Sequence, residues 1–181
     1  MKGELVDNRI IIWSLADTNK LFSMGYYGKP VGIPKPKFGE IDSPLVLDLM
    51  EGLYLLGKKI ISIYEEKKKQ NYEEMLKICR NEYHEFDKKY AVYEYFRSKG
   101  YIINPGIKFG CDFAVYERGP GIDHAPYLVQ VYSASDVITS TAVVLAGRLA
   151  TTVRKQFILA IPKSKGGKYI VEMLALDWWK A

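Results

Sequence analysis

Apolar and polar positions change their spacing several times along the chain, and each change marks an element. Residues 9–13 are β-branched and end on an aromatic, which reads as a strand. The rest of the first forty residues reads as short strands and turns. Within it, 26–40 is a loop, because Gly28, Gly32 and Gly39 alternate with Pro30, Pro34 and Pro36. From Ser43 the period becomes helical, with Leu45, Leu49, Met50 and Leu53 on one stripe. Ser43 suits the N-cap, Pro44 the first helical position and Gly57 the stop. Residues 58–64 then read as a strand and 65–71 as a charged, exposed link. The stretch 72–99 holds no Gly or Pro, and Met75, Cys79, Tyr83, Phe86, Tyr90 and Tyr93 recur through it at helical spacing. Its length predicts two consecutive helices that break at 83–88, with Gly100 ending the second.

From Tyr101 the texture turns to strands at 101–104, 111–117, 127–132, 156–161 and 168–176. A helix over 138–153 interrupts them, with Ala142, Leu145, Ala146, Leu149 and Val153 on its apolar side. A helix crossing between strands implies at least one parallel pair and an α/β fold. The expected organisation is a small α+β domain over 1–83 and an α/β domain over 84–181.

Composition narrows the class. With 48% apolar and 26% charged residues in a chain of 181, a folded core is affordable and a disordered chain is excluded. The opening residues are charged and the first apolar run, 10–13, is too short for a secretory signal. No run has the length of a membrane span, so a cytoplasmic protein with no membrane association is expected. Cys79 and Cys111 are the only cysteines and form neither a ligand pair nor a disulfide framework; two buried thiols are expected. The net charge of +5 favours polyanionic partners, but it is spread along the chain.

Candidate chemistry concentrates in 109–132, FGCDFAVYERGPGIDHAPYLVQVY. A strand brings Tyr116 to its end, a Gly-Pro-Gly turn follows, and His124 precedes the next strand, so both residues fall at one end of a sheet. Lys155 sits at a helix-to-strand junction, VRKQFILAI, and Arg148 lies in the helix before it. Taken singly, each has an ordinary explanation. His124 is a loop histidine, Lys155 and Arg154 offset a helix C-terminus, Arg148 is a solvated side chain, and His84 is solvated in a charged helix. Taken together, they answer a chemical need. Cutting RNA without metal requires a base for the ribose 2′-OH, an acid for the 5′-oxygen and a cation for the phosphorane-like transition state.

The order FGCDFAVYERG, a histidine before YLVQV, then VRKQFILAI resembles the catalytic domain of archaeal tRNA-splicing endonucleases. SPLVLDLMEGLYLL and YAVYEYFRSKGYIINPGIKFG resemble the same family, so the likeness covers roughly residues 40–181. The resemblance implies a catalytic triad of Tyr116, His124 and Lys155, no cofactor and no metal ligands. It implies that Arg148 stacks on a flipped bulge base and that Lys35 or Lys37, in a loop like an insertion of one archaeal branch, holds RNA. The substrate would be precursor tRNA with a bulge-helix-bulge, cut to 2′,3′-cyclic phosphate and 5′-hydroxyl ends. A second base-sandwiching arginine is not evident in the last strand, where Trp178, Trp179 and Lys180 stand instead. The family's acidic docking loop should lie in 161–168, which carries three lysines and no acid. A related structural subunit in an α2β2 heterotetramer is therefore the expected partner.

Two rivals remain open. The domain order is also that of a restriction-endonuclease-like fold, whose metal-dependent members place one carboxylate on a strand and Glu-x-Lys on the next. Asp112 fits the first position, but Val129-Gln130-Val131 lacks the second, so Asp112 reads as a structural acceptor. The other rival is a non-catalytic, RNA-binding subunit of the same assembly, which should have lost the triad.

Overall fold

A computed structural model describes residues 1–34, 36–122, 124–153 and 155–176, the side chains of 149–153 excepted. The chain forms two compact units, Met1–Phe86 and Asp87–Ala181.

The first unit contains β1 (Lys2–Val6), β2 (Arg9–Ile12), α1 (Leu15–Gly25), β3 (Lys29–Pro30), β4 (Leu45–Leu47), α2 (Leu49–Gly57), β5 (Ser62–Glu65), β6 (Lys68–Lys69) and α3 (Tyr72–Glu82). Its sheet has the order β3-β4-β2-β1-β5-β6, with β1 and β5 parallel. Ile10, Ile12, Leu45, Leu47, Leu49, Leu53, Leu55 and Ile63 are completely buried. Gly52 lets α2 settle onto β2, since a Cβ there would lie 1.9 Å from the Ile10 side chain.

Three expectations are corrected here. The first forty residues hold a helix as well as strands. Ser14 accepts from the Asp17 backbone N–H, Leu21 and Phe22 turn inward, and Tyr26 ends α1 in the left-handed conformation. The helix expected from Ser43 begins instead after Asp48. Leu45 and Leu47 are two apart and both buried, which is strand spacing, and Asp48 and Glu51 form a reciprocal capping box. The link at 65–71 is exposed as expected except at the buried Gln70, but it is the hairpin β5–β6 rather than an irregular connection.

In the second unit α4 (Phe86–Ser98) begins at the boundary, separated from α3 by a turn at 83–85. There follow β7 (Ile102–Pro105), a single 3-10 turn at Ile107–Phe109, β8 (Phe113–Tyr116), β9 (Tyr127–Val131), α5 (Ser140–Val153), β10 (Gln156–Lys165) and β11 (Lys168–Leu176). The sheet order is β11-β10-β9-β8-β7, parallel only between β9 and β10. The crossover through α5 is what makes that pair parallel, and the fold class is α/β. One face of the sheet meets α4, where Tyr93 packs on Phe113. The other carries Ala114, Leu128, Phe157 and Leu159 in a cluster with Ala146 of α5.

Leu145 is not on the inward side of α5: it is 65% exposed, with Val143 and Val144 beside it. Ala146 and Gly147 make the close approach, and Leu145, about 100° round the helix, is turned outward. Leu149 and Val153 lie outside the described side chains. The segment 161–168 is not an irregular loop. β10 and β11 stay paired up to Lys165 and Lys168, and only Gly166 and Gly167 turn the chain, both with positive φ. That is the two-residue turn whose twist matches antiparallel strands. Trp178, Trp179 and Lys180 lie outside the described residues.

Candidate active site

Strand register gathers the candidate residues. Val115 faces Tyr127 on β9, and Tyr127 faces Gln156 on β10. One step further out, Tyr116, Pro126 and Lys155 stand in a row, closed by a 2.8 Å hydrogen bond from Gln156 N–H to the Pro126 carbonyl. Adjacent strands are about 4.8 Å apart, so the Tyr116 and Lys155 backbones are roughly 10 Å apart. Residues opposite one another share a face, and this row shares the face of Phe157 and Leu159. Tyr116 is half-buried against that same cluster.

The Lys155 ammonium is held from two sides. It donates to the backbone carbonyl of Ala125, the residue after His124, and it sits 5.4 Å from the centre of the Phe109 ring. Both favour the charged amine, the carbonyl through its dipole and the ring through its electron-rich face. Ala125 is buried and His124 is exposed, so the amine is tethered to the backbone one residue after His124. Arg148 is exposed on α5, the helix covering this face, seven residues before Lys155.

A second contact fixes the segment after Tyr116. The Tyr127 hydroxyl donates to Glu117 at 3.0 Å, and its ring meets Tyr101 edge to face. The hydrogen bond to the Glu117 carboxylate first, and burial of the hydroxyl second, raise the Tyr127 pKa. Phe109, Ala125, Glu117 and Tyr127 were not singled out by sequence reasoning. Their one signal was proximity, since all lie in 109–132.

The remaining candidates stand elsewhere. His84 is exposed in the turn between α3 and α4 rather than in a helix. Lys37 belongs to the first unit, where it approaches Glu40 at 3.9 Å on an exposed loop. Lys35 and Arg154 lie outside the described residues. Asp112 accepts from Gln130 at 2.6 Å and from the Val131 N–H at 2.9 Å, and pairs with Lys89 at 2.9 Å. Its oxygens are thus engaged in holding β8, β9 and α4 together. Among the described residues no three His, Cys, Asp or Glu side chains gather as metal ligands would.

A model of the tRNA intron endonuclease catalytic C-terminal domain matches residues 86–170, and one of the N-terminal domain of that enzyme matches residues 1–76. The chain is 41% identical over 181 residues to the tRNA-splicing endonuclease of Sulfurisphaera tokodaii, covering 99% of each. The chain belongs to the tRNA-splicing endonuclease family. The family enzyme of Hyperthermus butylicus is 39% identical over 183 residues, again with 99% of both chains covered. That of Saccharolobus solfataricus is 37% identical over 175 residues, covering 94% of this chain and 96% of its own. Among tRNA-splicing endonucleases the catalytic domain model therefore falls on the unit that carries Tyr116, His124, Arg148 and Lys155.

Proposed function

We propose that this chain is a catalytic subunit of tRNA-splicing endonuclease that cuts bulge-helix-bulge precursor tRNA without metal. Tyr116 takes the 2′-OH proton, and the 2′-oxygen attacks the adjacent phosphorus. The bond to the 5′-oxygen breaks as His124 gives that oxygen a proton, leaving a 2′,3′-cyclic phosphate and a 5′-hydroxyl. Lys155 stabilises the negative charge that builds on the phosphoryl oxygens. A free tyrosine, with a pKa of about 10, is a weak base at neutral pH, and a cation in the same row favours its phenolate.

The observation that carries this reading is the row Tyr116–Pro126–Lys155, with the amine tied to the carbonyl next to His124. Arg148, exposed on the helix over that face, is suited to stack on a flipped bulge base, and Lys35 or Lys37 to touch the RNA backbone. The partner is a related structural subunit in an α2β2 assembly. The segment 161–168 between the last two strands carries three lysines and no acid, the wrong sign for docking into a basic groove of a second copy, and the outer edge of β11 suits pairing with a neighbour.

The test is cleavage of a bulge-helix-bulge RNA with and without EDTA, alone and with the structural subunit. Cleavage in chelator with cyclic phosphate ends, blocked by a 2′-deoxy sugar at the cut site, is expected. Strict dependence on Mg²⁺ for the chemical step would reject the mechanism. Full activity of the chain alone, not improved by any partner, would reject the assembly.

A further inference from the structure

The far end of β10 is built differently from the end that carries Lys155. β9 stops at Val131, and its last tie to β10 is the hydrogen bond from Tyr132 N–H to the Ala160 carbonyl. Beyond Ala160, β10 and β11 continue alone as a two-stranded ribbon. Pro162, which has no N–H to give a neighbour, stands where β10 leaves the sheet. Every residue from Lys163 to Ile170 is exposed.

Register sorts the ribbon's side chains. Ile161 faces Glu172, Lys163 faces Ile170 and Lys165 faces Lys168. Lys163, Lys165 and Lys168 therefore share one face, while Pro162, Ser164, Tyr169 and Val171 share the other. Lys163 is paired with Glu172 at 2.5 Å. Lys165 and Lys168 make no ion pair among the described residues, and like charges directly across a ladder destabilise it. A Gly-Gly turn does not need them there. By strand alternation the lysine face is the side of β10 that carries Lys155. Ten residues at about 3.3 Å each put the tip roughly 33 Å from Lys155.

We propose that this lysine face is a second RNA contact, binding phosphates of the precursor tRNA well away from the cut. Resting on the reading that the chain cleaves that RNA, it adds affinity and leaves the chemistry at Tyr116, His124 and Lys155 unchanged. Phosphate is favoured because two unneutralised ammonium groups about one strand spacing apart match successive backbone charges and carry no sequence demand. The contrasting use of edge lysines, to keep a bare strand from pairing with other chains, needs charge but no ligand.

The experiment compares the chain, in complex with its structural subunit, with Lys165→Ser/Lys168→Ser and with Lys165→Arg/Lys168→Arg. RNA affinity is measured from 50 to 200 mM salt, with the single-turnover rate at saturation and the mass of the assembly. The serine pair should lower the slope of log affinity against log salt by about 1–2, so the affinity loss is about 4- to 16-fold smaller at the higher salt. The saturated rate and the mass should not change, and the arginine pair should behave like the parent. An unchanged slope with normal cleavage would overturn the proposal and leave the lysines as edge protection. Loss of assembly with unaltered RNA affinity would overturn it in favour of an acidic protein partner. If the parent complex itself neither binds nor cuts precursor tRNA, it is the underlying functional reading that fails.

Discussion

The two units complete their sheets in opposite ways. In the first, strands of two to five residues are covered until Ile10, Ile12, Leu45, Leu47 and Ile63 show no surface at all. In the second, β10 and β11 are the longest strands of the chain, yet β11 leaves Tyr169, Ile170 and Leu174 about half exposed. The first unit spends its apolar residues on its own stability. The second gathers the polar candidate residues at one sheet end and, among the described residues, leaves the outer edge of β11 without a strand partner. Substitutions should therefore separate cleanly into those that unfold and those that silence.

The largest effect should come from His124→Ala, an exposed position whose loss leaves no cavity. The single-turnover rate should fall roughly 10²–10⁴-fold with RNA affinity and melting temperature little changed. An unchanged rate would remove His124 from the mechanism and blur the contrast between the units. Next is Leu53→Ala in the first unit, which should cost about 2–5 kcal/mol in denaturant unfolding. Cleavage per folded molecule should be retained, and a proportionate loss of kcat would show that the first unit shapes the chemistry.

Arg148→Ala should weaken bulged RNA more than plain duplex, with lysine a poor substitute because it lacks the planar group. Equal losses on both RNAs would reduce Arg148 to a phosphate contact. Smaller still is Phe109→Leu. Removing the ring beneath the Lys155 ammonium should slow cleavage about 2- to 30-fold, the rate equivalent of about 0.5–2 kcal/mol. Phe109→Trp should restore the rate, and KM should not move. A loss that Trp fails to rescue would mean the ring acts only as core.

The smallest effect lies with the thiols. Burial pushes Cys79 up to about 12 and Cys111 up to about 11. A raised acid pKa means the unfolded chain loses its protons first. Their stabilising share is whole below the unfolded value near 9 and is lost as pH rises from there toward 11–12. Denaturant melts at pH 8 and pH 10 should differ in that direction, and Cys79→Ala should flatten the difference.

Much of this was legible because it is periodic. The split of 72–99 into two helices and the five strands after Tyr101 follow from spacing that tertiary packing did not override. The candidate site was legible as a string, since strand order turns the ends of 113–116, 127–131 and 156–165 into neighbours. What failed were short elements with competing signals. Ser43-Pro44 offered a helix start that Asp48 and Glu51 supplied better, because Leu45 and Leu47 were already used by a strand. α1 was hidden by a cap, Ser14 with Asp17, in a stretch of weak apolar pattern. The ring of Phe109 under Lys155 could not be read at all, since 46 positions separate them and only the folded sheet brings them together.

The open edge of β11 has a consequence for how this protein must be handled. A row of main-chain donors and acceptors with half-exposed apolar neighbours is a template on which another strand can pair. Whatever closes it binds the native state alone, so its binding energy is added to folding by mass action. If β11 pairs with a strand of another chain, melting temperature is no constant of this chain but rises with the concentration of whatever supplies that strand.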